Sequence, residues 1–123
     1  MKLHLTTAGE QNRFTGYGDG YVAVNNQRYA CSIVVTPGEI HDQWRVSGVD
    51  AMHVAQIDFL IGLAPEILLL GTGARQRFPA PALFKHLMTA RIGLEVMDTP
   101  AACRTYNILS AEGRNVVAAV LVA

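Results

Sequence analysis

The apolar run Ile67-Leu68-Leu69-Leu70 breaks into Gly71-Thr72-Gly73, and after a helical segment residues 93–99 read Gly-Leu-Glu-Val-Met-Asp-Thr. Consecutive apolar residues with no polar alternation suit a strand covered on both faces. Such a strand belongs inside a layered α/β sheet, and a strand–helix–strand connection is what parallel neighbours require. Open α/β sheets bind ligands beyond the carboxyl ends of their strands. The polar residues that end these two strands are therefore the first place to look for a site.

The rest of the chain divides around this unit. A length of 123 residues without repeat or linker predicts one domain, 1–123, with a strand-rich part over 1–47 and an alternating helix/strand part over 48–123. Residues 21–24 and 29–35 flank Asn25-Asn26-Gln27, a hairpin pattern, because asparagine tolerates the positive φ of tight turns. Glycines 16, 18 and 20 mark a preceding loop, and Pro37-Gly38 closes the second strand. The alternation in Gln43-Trp44-Arg45-Val46 predicts a third, half-exposed strand. Asp50 is expected to cap a helix that buries Val54, Ile57, Ile61 and Ala64 and stops at Gly62 and Pro65. Pro81 opens a second helix with the apolar stripe Leu83, Phe84, Leu87, Met88 and Ile92, and a strand follows over 94–97. Thr99 is expected to cap a third helix that begins at Pro100, buries Ala102, Cys103, Tyr106 and Leu109, and ends by Gly113. Residues 116–122 form a last apolar strand suited to the middle of a sheet. The fold class is thus α/β, with about three helices on a mostly buried sheet and β-hairpins that extend it or form a second one.

Composition excludes several functions. Half the residues are hydrophobic, 16% are charged, and ten basic side chains balance ten acidic ones. A chain with no positive excess has little attraction for phosphate backbones, so no nucleic-acid partner is expected. Cys31 and Cys103 stand alone and read as small buried hydrophobes in a reducing compartment. Residues 1–6 turn polar too early for a secretory h-region and lack an arginine-rich presequence character. The longest apolar run, 116–123, is far shorter than the ~20 residues of a spanning helix, so no transmembrane segment and a cytoplasmic location are expected.

No chemical motif is complete. A dinucleotide fingerprint would need a third glycine where Gln76 stands, and Pro79 and Pro81 delay the helix; the lysine of a P-loop is missing. No cofactor is expected. His4, His41, His53 and His86 are scattered, and neither cysteine adds a ligand pair, so no metal site is expected. His41-Asp42 reads as a local acid–base pair in a solvated loop. No serine sits in a nucleophile elbow. Cys103, on the apolar face of a helix, packs rather than reacts. No catalytic set emerges. The alternative reading is a small-molecule or anion-binding protein, or an enzyme, that uses Gly71, Thr72, Gly73, Arg75, Arg77, Glu95, Asp98 and Thr99 through loop N–H groups and guanidinium forks. The bland alternative has both arginines solvated or paired with Glu95 or Asp98. At least one of Gly71 and Gly73 is expected at positive φ. Asp58, Arg104, Tyr106 and Asn107 read first as a structural polar network, second as lining for the crevice.

The ordered series Leu70-Gly71-Thr72-Gly73, Gly93-x-Glu95-x-Met97-x-Thr99, Ala101-Ala102, Thr105-Tyr106-Asn107 and Glu112-Gly113-Arg114 resembles a known set. With residues 29–35 and Trp44, it is similar to the domain-of-unknown-function family that includes mitochondrial complex I assembly factor 3 and small bacterial homologues. The resemblance implies a three-layer α/β fold with a mixed central sheet. It implies a binding or assembly factor rather than an enzyme, with a protein partner and no catalytic residues to carry over. With no presequence character at its start, the chain is expected to group with the bacterial members. A small structural domain whose exposed hairpin edge pairs two copies as a weak homodimer is the remaining alternative.

Overall fold

A computed structural model describes residues 11–122; residues 1–10 of the strand-rich part, with His4, lie outside the described residues. The chain begins with β1 (Phe14–Gly18), β2 (Tyr21–Val24) and β3 (Gln27–Tyr29), an antiparallel sheet in that order. Asn25 and Asn26 take φ values of 53° and 69°, which folds β3 back on β2 as the asparagines predict. Gly16 and Gly18, expected in a loop, lie inside β1. A Cβ on Gly18 would come within 2.5 Å of the Tyr21 ring across the hairpin, so glycine here makes room rather than a turn.

Two further expectations fail at the next segment, for one reason. Residues 29–35 are not one strand: β3 ends at Tyr29, and β4 (Ile33–Val35) joins a different sheet. The buried Ser32 hydroxyl donates to Trp44 O at 2.6 Å and accepts from Val46 N at 3.1 Å. Residues 43–46 do alternate, with Trp44 and Val46 buried and Gln43 and Arg45 exposed, but they form no strand. A serine side chain supplies the hydrogen bonds that a ladder would have made. After β5 (Ile40–His41), Asp50 sits in a 3-10 turn, Val49–Ala51, and caps nothing. The N-cap of α1 (Val54–Gly62) is His53, whose N–H donates to Gln56 Oε1 at 2.6 Å. The later start moves the buried stripe to Ile57 and Leu60, leaves Val54 and Ala64 exposed, and ends with Ala64 at φ 51°.

The remainder alternates: β6 (Ile67–Thr72), α2 (Pro81–Thr89), β7 (Gly93–Met97), α3 (Thr99–Ala111) and β8 (Val116–Leu121). The main sheet runs β5-β4-β8-β6-β7; β6 is parallel to both β7 and β8, whereas β4 is antiparallel to β8 and β5. From β6 the chain crosses to one side to make β7, then back past β6 to make β8. Right-handed crossovers in opposite directions put their helices on opposite faces. Leu68 and Leu70 accordingly pack with Val117, Ala119 and Leu121 against α1 and α2. Leu69, Val116, Ala118 and Val120 face the other way, against α3 and the hairpin residues Phe14, Val22 and Val24. The result is a single α/β domain in three layers with a mixed central sheet, and β8 lies near its middle as expected. At the end of β7, Asp98 rather than Thr99 caps α3: its Oδ1 accepts from Ala101 N at 2.8 Å, and Thr99 is already helical.

Candidate functional site

The parallel register brings the two glycine-flanked segments together. Gly71 stands opposite Met97 on one side and Val120 on the other, so the ends of β6, β7 and β8 share one edge of the sheet. Gly71 has no space for a side chain, since a Cβ would lie 3.0 Å from Thr99 Oγ1 and 3.1 Å from both Thr99 Cα and Ala102 Cβ. Gly73 has φ 98° and is the positive-φ residue of the pair. It exchanges two hydrogen bonds with Thr99: its N–H donates to Thr99 Oγ1 at 2.9 Å and its carbonyl accepts from Thr99 N at 2.8 Å. The buried Thr99 hydroxyl donates in turn to Leu121 O, which joins all three strand ends. Thr72 Oγ1 accepts from Arg77 N at 3.0 Å and donates to Arg75 O at 2.6 Å, with Met97 O a second acceptor 3.2 Å away.

These contacts employ Thr72, Gly73, Asp98 and Thr99 in shaping the loop, and they turn Arg75, Gln76, Arg77 and Phe78 outward. Neither arginine pairs with Glu95 or Asp98 among the described residues. Arg77 instead reaches Asp50 Oδ2 at 2.8 Å, an exposed ion pair. Glu95 is exposed on β7, and Gln76 Nε2 donates to Val96 O at 2.8 Å on the same strand. The loop is thus internally hydrogen-bonded, with cationic and aromatic side chains on its outer surface.

Tyr106 and Asn107 act as structural polar groups. Asn107 Oδ1 accepts from Phe14 N at 2.9 Å while its Nδ2 donates to Phe14 O at 2.8 Å, so one side chain ties α3 to β1. Tyr106 is buried, meets the Phe14 ring edge-on at 5.3 Å, and donates its hydroxyl to Asn12 O at 3.0 Å. Burial pushes its phenol up to about 12. Asp58, expected near the core, is exposed and joins α1 to α2 through His86 Nε2 at 2.7 Å. Both cysteines are free; burial pushes the Cys103 thiol up to about 12, which suits packing and not nucleophilic chemistry.

His41 pairs with Glu39, at 2.8 Å, and not with Asp42. Residues two apart on a strand share a face, and the adjacent acid of a His-Asp dipeptide points elsewhere. The pair borders an open groove of 810 Å³ along β5 that Ile40, Trp44 and Phe59 also line. Sequence reasoning missed this groove because its walls come from β5, residues 43–45 and α1, which no spacing connects; the available signal was the Glu39-x-His41 repeat. Among the described residues, no set of three or more His, Cys, Asp or Glu side chains converges as a metal site.

Residues 14–121 match the model of a family described as "Protein of unknown function (DUF498/DUF598)". The chain belongs to this family. Similar proteins include human NADH dehydrogenase [ubiquinone] 1 alpha subcomplex assembly factor 3, 39% identical over 123 residues, 98% of this chain and 66% of that protein. The "13 kDa major membrane protein" of Francisella tularensis is 27% identical over 104 residues, 84% of this chain and 85% of that one. A crystal structure of a Bordetella parapertussis protein is 43% identical, covers 92% of this chain and 97% of its own, and superposes with a TM-score of 0.84. This DUF498/DUF598 chain spans between 44% and 66% of the length of the animal assembly factors that it matches. No helix among its described residues is long and apolar enough to cross a membrane.

Proposed function

We propose that this protein is a non-enzymatic interaction factor that assists assembly of a respiratory complex. The observation that carries the reading is its similarity to complex I assembly factor 3, at 39% identity over 98% of this chain for the human protein. The loop chemistry supports it. Thr72, Gly73, Asp98 and Thr99 are engaged in holding three strand ends together. A protein partner recognised through an exposed surface fits that arrangement better than a reaction within the loop. Native affinity capture of the tagged protein from its source cell, with cross-linking and mass spectrometry, should recover respiratory-complex subunits. Recovery of the chain alone under several detergent and salt conditions sinks the proposal.

A second reading keeps the 71–77 loop, with Glu95, Asp98 and Thr99, as an anion or small-molecule site, and it draws on exposed Arg75 beside the convergent strand ends. Phosphate should then raise the melting temperature of the unmutated protein and not that of Arg75→Ala. Equal melting with and without phosphate ends this reading.

A further inference from the structure

The apolar stripe of α2 is wider than the core beneath it. Leu83 and Leu87 are buried, but Met88 is 68% exposed and Phe84 is half-buried. Phe78, on the preceding loop, is 64% exposed, and its ring lies 6.1 Å from that of Phe84 at a tilt of 34°. Phe78, Phe84, Lys85 and Met88 line one shallow surface concavity with Pro79 and Pro81. Pro79 is buried, so it anchors the loop while Phe78 projects. Isolated exposed apolar residues are ordinary, whereas two phenylalanines and a methionine side by side form a patch that favours removal from water.

The charge carried by this segment is of one sign. No Asp or Glu occurs between Glu66 and Glu95, a stretch that carries Arg75, Arg77, Lys85 and Arg91 in a chain of zero net charge. Arg77 pairs with Asp50, and His86 Nε2 lies 2.7 Å from Asp58 Oδ1 on α1. Lys85 lines the concavity, and Arg75 and Arg91, both exposed, lie three residues before Phe78 and three after Met88, with Arg91 N donating to Met88 O. An apolar projection on a segment whose charged residues are all cations matches the outer layers of an anionic bilayer. The rings enter the boundary of the acyl chains, and the guanidinium and ammonium groups meet lipid phosphates.

We propose that the surface formed by Phe78, Phe84 and Met88, with Arg75, Lys85 and Arg91, docks peripherally on an anionic lipid membrane. Neither half suffices alone. A few apolar side chains bind lipid weakly, and each cation near the surface contributes a modest, salt-screened attraction. This inference stands apart from the assembly reading, since its charge and exposure arguments do not depend on any partner.

Flotation with vesicles of phosphatidylglycerol and phosphatidylcholine, against vesicles of phosphatidylcholine alone, tests it. Binding is expected at low salt on the anionic vesicles only, with loss at high salt. Arg75→Glu with Lys85→Glu should weaken it by at least about fivefold per cation removed. Phe78→Ser with Met88→Ser should weaken it comparably without lowering thermal stability, because both side chains are exposed. Inorganic phosphate in millimolar amounts should compete poorly, which separates a bilayer from free phosphate as the ligand. No flotation with anionic vesicles, or flotation unchanged by either double variant, overturns the proposal. So does photo-cross-linking from position 78 that captures a protein subunit while the vesicles stay empty.

Discussion

Gly71 and Gly73 look alike in sequence but are glycines for different reasons. Gly71 sits in a strand with ordinary angles, and its lack of a Cβ lets Thr99 and Ala102 close on it at about van der Waals limits. Alanine there overpacks a buried junction and should cost about 1–3 kcal/mol. Gly73 is a glycine for its φ of 98°, and alanine should cost about 1 kcal/mol or more through backbone strain. Urea unfolding distinguishes them, because Ala102→Gly, which removes one of the atoms that the new Cβ meets, should relieve the first variant and not the second. Buried acids give a further prediction at this scale. The Cys103 thiol and Tyr106 phenol ordinarily titrate near 9.0 and 10.0, and burial pushes each up to about 12. Both protons are held more tightly in the folded chain. Their contribution to stability is therefore complete below the unfolded values and is lost as pH rises through the folded ones. Each tenfold difference in proton affinity is worth about 1.4 kcal/mol, so urea midpoints should hold near pH 8 and fall between pH 9 and 12. Cys103→Ala should flatten the first part of that fall.

Between elements, side chains do the joining that backbone pairing leaves undone. The small sheet β1–β2–β3 makes no ladder with the main sheet, and Asn107 grips both backbone groups of Phe14 across that gap. Asn107→Ala orphans a donor and an acceptor and should cost about 2 kcal/mol, with faster amide exchange in β1 and β2 than in β6 and β8. Asn107→Asp should be no better, since a carboxylate accepts from Phe14 N but repels Phe14 O. On the other side, β7 is an edge strand, and Gln76 occupies its outward Val96 carbonyl. Gln76→Ala should leave the melting temperature nearly unchanged while raising self-association in light scattering at high concentration. Equal scattering from variant and parent would show that this edge needs no cover. The helices and strands from β6 onward are legible in the sequence because period and boundary residues agree there: apolar 67–70, Pro81, Pro100 and Gly113. The first half misleads where a side chain replaces a backbone partner. Nothing at Ser32 announces that its hydroxyl will serve Trp44 and Val46, and without that knowledge 43–46 reads as a strand and 29–35 as one strand rather than two.

For the molecule as a whole, the strand–helix–strand unit predicts the convergence of residues 71–73 with 97–99, and the fold brings them together. What the spacing does not reveal is where the polar groups are spent. Thr99 reads as a cap and serves instead as a rivet among three strands, while the cap falls to Asp98. The Glu39–His41 groove is assembled from distant segments, and the Glu39-x-His41 spacing is its one local trace. The strand order carries a consequence for how the protein is made. The hairpins of β1–β3 and the β6–α2–β7 unit can close on residues already synthesised, but β8 is the last of the described elements and the one inserted between β4 and β6. A nascent chain released through residue 115 therefore leaves the ribosome with two unsealed apolar edges, Ile33–Val35 and Ile67–Thr72, awaiting one strand. The interval of greatest need for a holding chaperone is the one before residues 116–121 emerge, and a stop ahead of them releases a sheet open at its middle.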